Sequence, residues 1–137
     1  MKNIVKLVCS LVLAFMLLPT SALASEEQPL LQKAYATAYY QSGTMASGQQ
    51  TREGVCAGMR DYLGCVIVVF QRLPDDSVGD YLGMWECLDT GGTDGLKNGT
   101  VVDIWQQNLD SCQDFMNMVY EDDCQGKVYI QVIEGKG

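Results

Sequence analysis

Two aspartates carry most of the chemical promise of this chain. Asp89 opens the run Asp89-Thr90-Gly91-Gly92 after the apolar Cys87-Leu88, and Asp103 lies inside Val101-Val102-Asp103-Ile104-Trp105. A carboxyl group in an apolar run is costly unless it is hydrogen-bonded or a site requires it there. The chain contains 0 His, so a general acid or base in it is expected to be a carboxyl group. An Asp beside glycines more commonly serves a turn, which is the plain structural role for Asp89. Asp103 is harder to account for in that way. Gly91 and Gly92 fit an anion-binding nest, but they fit the backbone demands of a turn at least as well.

The elements that must position these residues read as mainly β. Ala34 to Tyr40 is strand-like in its Tyr and Thr content, Gln41 to Arg52 is a small-residue loop, and Val55 to Ala57 is a short apolar piece. Cys65 to Phe70 is apolar on both faces and reads as a central strand. Leu73 to Asp80 has turn residues, so Tyr81 to Leu88 returns as a hairpin. The connection Asp89 to Gly99 ends in the tight-turn pair Asn98-Gly99, and Thr100 to Trp105 is again a strand. Leu109, Cys112, Phe115 or Met116, and Val119 recur at helical spacing behind a capping Asn108. Lys127 to Ile133 closes the chain with Val128, Ile130 and Val132 on one face. Five to seven strands with one helix before the last suggest a small β-barrel, its opening covered by that helix.

Residues 1–24 read as a signal peptide: Lys2 and Lys6, an apolar run from Leu7 to Leu18, Pro19, and a small-residue cleavage site at Ala22-Leu23-Ala24. The run is too short to span a bilayer. A secreted protein, extracellular or associated with a cell wall, is therefore expected, with no membrane contact after cleavage. Residues 25–33 read as a loose tail. The formal charge is −8, and loss of the two leader lysines makes it two units more negative. Such a surface repels nucleic acid and favours neutral partners such as sugars.

Export makes disulfides the default for Cys56, Cys65, Cys87, Cys112 and Cys124. The preferred pairs are Cys112 with Cys124, then Cys56 with Cys87, leaving Cys65 as a buried thiol. With no His and no Cys-x-x-Cys, neither a metal site nor a cofactor is expected. Asp75-Asp76 reads as a solvated hairpin tip, since the stretch lacks the alternating oxygen ligands of a calcium loop.

The order of motifs resembles a known family. Ala36-Thr37-Ala38-Tyr39, Thr44-Met45-Ala46-Ser47-Gly48, Gly54-Val55-Cys56-Ala57, Leu63-Gly64, Leu88-Asp89-Thr90-Gly91-Gly92 and Val102-Asp103-Ile104-Trp105 are similar to those of the 3D (three-aspartate) domain. That domain occurs in secreted cell-wall proteins and in MltA-type lytic transglycosylases, and its barrel is shared with RlpA-like and expansin-like proteins. The likeness runs from about residue 34 to residue 134, and the domain is set at 34–137. It implies a six-stranded double-psi β-barrel with one amphipathic helix before the last strand. It also implies that Asp103 is the catalytic acid and that Asp89 lines the same site. The place of the family's remaining aspartate, two positions after Ala57, is taken by Met59; Asp61 is out of step, and the Asp89–Asp103 connection is a few residues longer than usual.

A lytic transglycosylase needs fewer groups than a hydrolase. The 6-hydroxyl of N-acetylmuramic acid attacks its own anomeric carbon, so one residue can protonate the leaving oxygen and then deprotonate that hydroxyl. This acid must keep its proton near neutral pH, through apolar neighbours or a nearby carboxylate. Asp103 is accordingly assigned as acid/base on peptidoglycan glycan strands and Asp89 as its partner. Thr37, Tyr39, Gly91, Gly92 and Trp105 are assigned to substrate contact. Two other readings stay open: a non-catalytic, expansin-like glycan-binding module, and a disulfide-bonded secreted protein that uses the barrel as a scaffold for a protein partner.

Overall fold

The computed structural model describes residues 30–135. The signal-peptide segment and residues 25–29 of the expected tail lie outside the described residues. Six strands form the wall: β1 (Gln32–Tyr39), β2 (Val55–Ala57), β3 (Val66–Arg72), β4 (Val78–Asp89), β5 (Val101–Trp105) and β6 (Lys127–Ile133). They close into a barrel in the order β1-β5-β2-β4-β3-β6. The β1/β5 and β2/β4 pairs are parallel, and the other pairings, including β1 with β6, are antiparallel. Closure leaves no strand edge unpaired. The mixed parallel and antiparallel order is consistent with a double-psi crossover.

Alternation along each strand decides which residues enter the lumen. Ala34 and Ala36 of β1, Ile67 and Val69 of β3, Val102 and Ile104 of β5, and Val128 and Ile130 of β6 meet in one buried cluster. Two helices interrupt the strands. The sequence reading placed only loop between Asp89 and Gly99; the structure has a short helix, α1 (Asp94–Asn98), ending at Gly99 in the left-handed conformation with φ 82°. Leu96 explains it, because one helical turn is enough to bury that side chain. The helix expected before the last strand is α2 (Leu109–Tyr120). Its Asn108 cap accepts from the Ser111 N–H at 2.8 Å. Cys112, Phe115 and Val119 fall at the spacing of one helix face and are buried. Phe115 and Val119 join the lumen cluster, and Trp85 meets the Phe115 ring edge-on at 5.7 Å.

Strand limits move by small amounts from the sequence reading. β1 starts at Gln32, two residues inside the expected tail, because it pairs with β6 through Gln32↔Ile130 and Lys33↔Tyr129. β4 starts at Val78, so the hairpin turn is tighter than expected. It is closed by Leu73 N–H to Ser77 O and Asp76 N–H to Leu73 O, and Asp76 binds Lys33 at 3.1 Å.

Candidate functional site on the outer wall of the barrel

Thr37, Asp103, Ala57 and Asp89 form a single row across four adjacent strands. Thr37 pairs with Asp103 in β1/β5, Asp103 with Ala57 in β5/β2, and Ala57 with Asp89 in β2/β4. The last register depends on a bulge between Cys56 and Ala57, which brings Asp89 rather than Leu88 opposite Ala57. Asp103 and Asp89 are thus two strand spacings apart, roughly 10 Å between their Cα atoms. Ala57, with its single methyl group, stands between them in the row. Val102 and Ile104 fill the lumen, so the row lies on the outer wall.

Each carboxyl group is held differently. Thr37 Oγ1 donates to Asp103 Oδ1 at 2.8 Å, and among the described residues Oδ2 has no protein partner. Asp89 Oδ1 accepts two backbone N–H groups, from Ala46 at 3.0 Å and from Thr90 at 2.9 Å. Burial pushes the Asp103 pKa above the ordinary carboxyl range; the Thr37 hydrogen bond works against the rise and the charge of Asp89 adds to it. A carboxyl group that keeps its proton to higher pH, with one oxygen fixed and the other open, is suited to general acid chemistry.

The loop between β1 and β2 covers part of this face. Met45, Val55, Leu88 and Trp105 form a second buried cluster, with Tyr39 packed against it. Trp105 does share the face of Asp103, but its ring is only 8 % exposed and its Nε1 donates to Gln41 O at 3.0 Å. This corrects the expectation of a ring open to a sugar: Trp105 anchors the loop instead. Tyr39 stands opposite Trp105 in register. Its hydroxyl is buried and makes no hydrogen bond of acceptable geometry, although Asp89 is close enough to act on it. Burial, followed by the charges of Asp89 and Asp103, raises the Tyr39 pKa.

Gly91 lies directly on Leu96, and a Cβ there would collide with that side chain. Gly92 faces open space. Met59 packs on the lumen cluster, and Asp61 is exposed in the short 3₁₀ turn Arg60–Tyr62.

The five cysteines among the described residues are free thiols in this structure. Cys56 and Cys87 are nonetheless register partners on parallel strands, directly beneath the aspartate row. The neighbouring Cys87 thiol, together with burial, holds the Cys56 thiol well above its ordinary range. Cys112 and Cys124 are both buried. Cys65 is half-buried, more open than its place beside an apolar strand suggested.

The sequence missed two contributors. Ala57 is the spacer between the carboxyl groups, and the Ala46 N–H holds Asp89. Neither has a side chain that signals a role; only the cross-strand register reveals them. No family model matches the chain, and no curated protein matches it significantly. The geometry must therefore carry the functional reading.

Proposed function

We propose that this is a secreted peptidoglycan-active protein of the 3D-domain type, cleaving glycan strands as a lytic transglycosylase with Asp103 as acid and then base. The supporting observation is the Asp103 carboxyl: outward-facing, with a raised pKa, held by Thr37 at one oxygen and unpartnered at the other. In this reading Asp103 protonates the glycosidic oxygen as the bond to the anomeric carbon breaks. It then takes the proton of the 6-hydroxyl as that oxygen closes the anhydro ring. Asp89, fixed by two backbone donors, stands in the same row and positions the substrate beside the acid. Thr37 sets the orientation of the acid.

The deciding experiment is digestion of purified peptidoglycan by the mature chain and by Asp103→Asn, read by mass spectrometry. Products ending in 1,6-anhydro-N-acetylmuramic acid from the wild type alone support the reading. Reducing-end products would mean hydrolysis, and the single-carboxyl mechanism would fall. A second reading, a non-catalytic glycan-binding module, is favoured by Met59, whose thioether packs where the family places a carboxyl group. Under that reading folded protein sediments with peptidoglycan but releases nothing.

A further inference from the structure

Just past the ends of β2 and β4, beginning one residue beyond Ala57 and Asp89 of the aspartate row, lies a cavity of about 180 Å³ lined by Gly58, Arg60, Thr90, Gly91, Leu96 and Lys97. We propose that this cavity is a subsite for a carboxylate carried by the glycan strand, held between Arg60 and Lys97; the inference rests on the peptidoglycan reading above and names the charged group that reading leaves unplaced.

The charge distribution motivates the assignment. The chain has a formal charge of −8, so its general field repels an anionic ligand. Salt limits that field to about 8–10 Å, and a local pair of cations can reverse it. Among the described residues, Lys33, Arg52 and Arg72 are in ion pairs with Asp76 or Glu86. Arg60, Lys97 and Lys127 are in none, and two of these three line this one cavity. Asp61 and Asp94 adjoin them in the sequence or on α1, yet neither forms a salt bridge with Arg60 or Lys97.

Gly58 and Gly91 put bare backbone on two sides. A Cβ at Gly58 would stand 3.1 Å from Cys87 Sγ, and one at Gly91 would run into Leu96. The Thr90 hydroxyl and two cationic side chains supply the hydrogen-bond donors. The space suits a carboxylate rather than a sugar ring. Its position beside Asp89 places the bound anion next to, not at, the reacting carboxyl groups. Peptidoglycan offers two such carboxylates, the lactyl group of an unsubstituted N-acetylmuramic acid and the acidic groups of a peptide stem.

The test is a titration of the ¹⁵N-labelled mature chain, followed by amide shifts, with three probes: N-acetylmuramic acid, its neutral methyl ester, and N-acetylmuramyl-L-alanyl-D-isoglutamine. At least one of the two acids should bind about fivefold more tightly than the ester, the size expected of two solvent-exposed ion pairs. The shifts should centre on Thr90, Gly91 and Lys97. The double variant Arg60→Gln/Lys97→Gln, whose amide spectrum checks that it is folded, should bind acid and ester alike. Preference for the monosaccharide acid identifies the lactyl group, and preference for the dipeptide alone identifies the stem. Equal binding of all three probes, or no binding by any, overturns the subsite. Preference for an acid without anhydro products in the digestion leaves the subsite standing and removes the lytic reading. Equal binding with anhydro products does the reverse.

Discussion

Thr37 and Asp103 face each other across parallel strands, and the threonine hydroxyl donates to Oδ1 of the aspartate at 2.8 Å. That one bond fixes the carboxyl group while Oδ2 has no partner among the described residues. It also restrains the pKa rise that burial causes. Thr37→Val should therefore push the Asp103 pKa further up. The limb of the pH–activity profile that reports loss of the Asp103 proton should move to higher pH, with activity falling roughly tenfold through lost orientation. An unchanged limb would show that Asp103 does not govern the profile.

Asp103→Asn should abolish glycan cleavage, a loss of about 10²–10⁴-fold, and yet stabilise the fold at neutral pH. The sign follows from the direction of the shift. The folded state holds the Asp103 proton to higher pH than the unfolded state, whose value is near 3.8. Stability contributed by the protonated form is thus lost as pH rises from 3.8 through the folded value. The asparagine variant lacks this loss. Melting temperatures against pH should coincide at low pH and diverge above it, with the variant higher. A variant that melts lower throughout would make Asp103 a structural residue.

Tyr39 buries a hydroxyl that, among the described residues, makes no well-formed hydrogen bond, although Asp89 lies near it. Tyr39→Phe should raise stability by about 1 kcal/mol, the relief of an unsatisfied buried polar group. If the hydroxyl waits for a sugar, the same variant weakens glycan binding. Denaturant unfolding and a sedimentation assay on peptidoglycan separate the two effects. A destabilised variant would mean that the hydroxyl is satisfied in solution.

The adjacent glycines should respond differently to the same change. Gly91→Ala forces a methyl group into Leu96 and should cost about 1–3 kcal/mol. Gly92→Ala points into open space and should stay within about 0.5 kcal/mol. Equilibrium denaturation of both variants checks the contrast. Equal effects would show that Leu96 is not the reason for Gly91.

Cys56 and Cys87 are register partners on parallel strands, with Cα atoms about 4.8 Å apart by sheet geometry. That spacing lies within the disulfide range. In protein folded under oxidising conditions, non-reducing peptide mapping should find Cys56 linked to Cys87. Finding both as free thiols would remove this link from any account of the protein's stability.

Much of this architecture was legible in the residues. The apolar run after the Asn98-Gly99 turn located the strand around Asp103, alternating apolar positions located the one at Lys127–Ile133, and the spacing of Cys112, Phe115 and Val119 located α2. These are short-range patterns, so local sequence is enough to expose them. The helix at Asp94–Asn98 was not legible, because a single turn among glycines has no periodicity to read. Trp105 was misjudged for a different reason. Strand alternation puts it on the face of Asp103, but whether a face is open depends on what folds over it, here a loop more than fifty residues earlier in the chain.

For the site, residue types alone pointed to a carboxyl group for any acid–base work, since the chain has 0 His, and showed that Asp103 is costly where it stands. Tertiary structure decided the rest. Strand order set Thr37 beside Asp103, and a one-residue bulge turned Asp89 to the same row. Barrel closure placed both on the outer wall. Burial, a threonine hydroxyl and a second carboxylate act on Asp103 only because strands distant in sequence lie about 5 Å apart. Electrostatic and hydrogen-bond effects depend on distance through space, and the linear chain does not specify those distances.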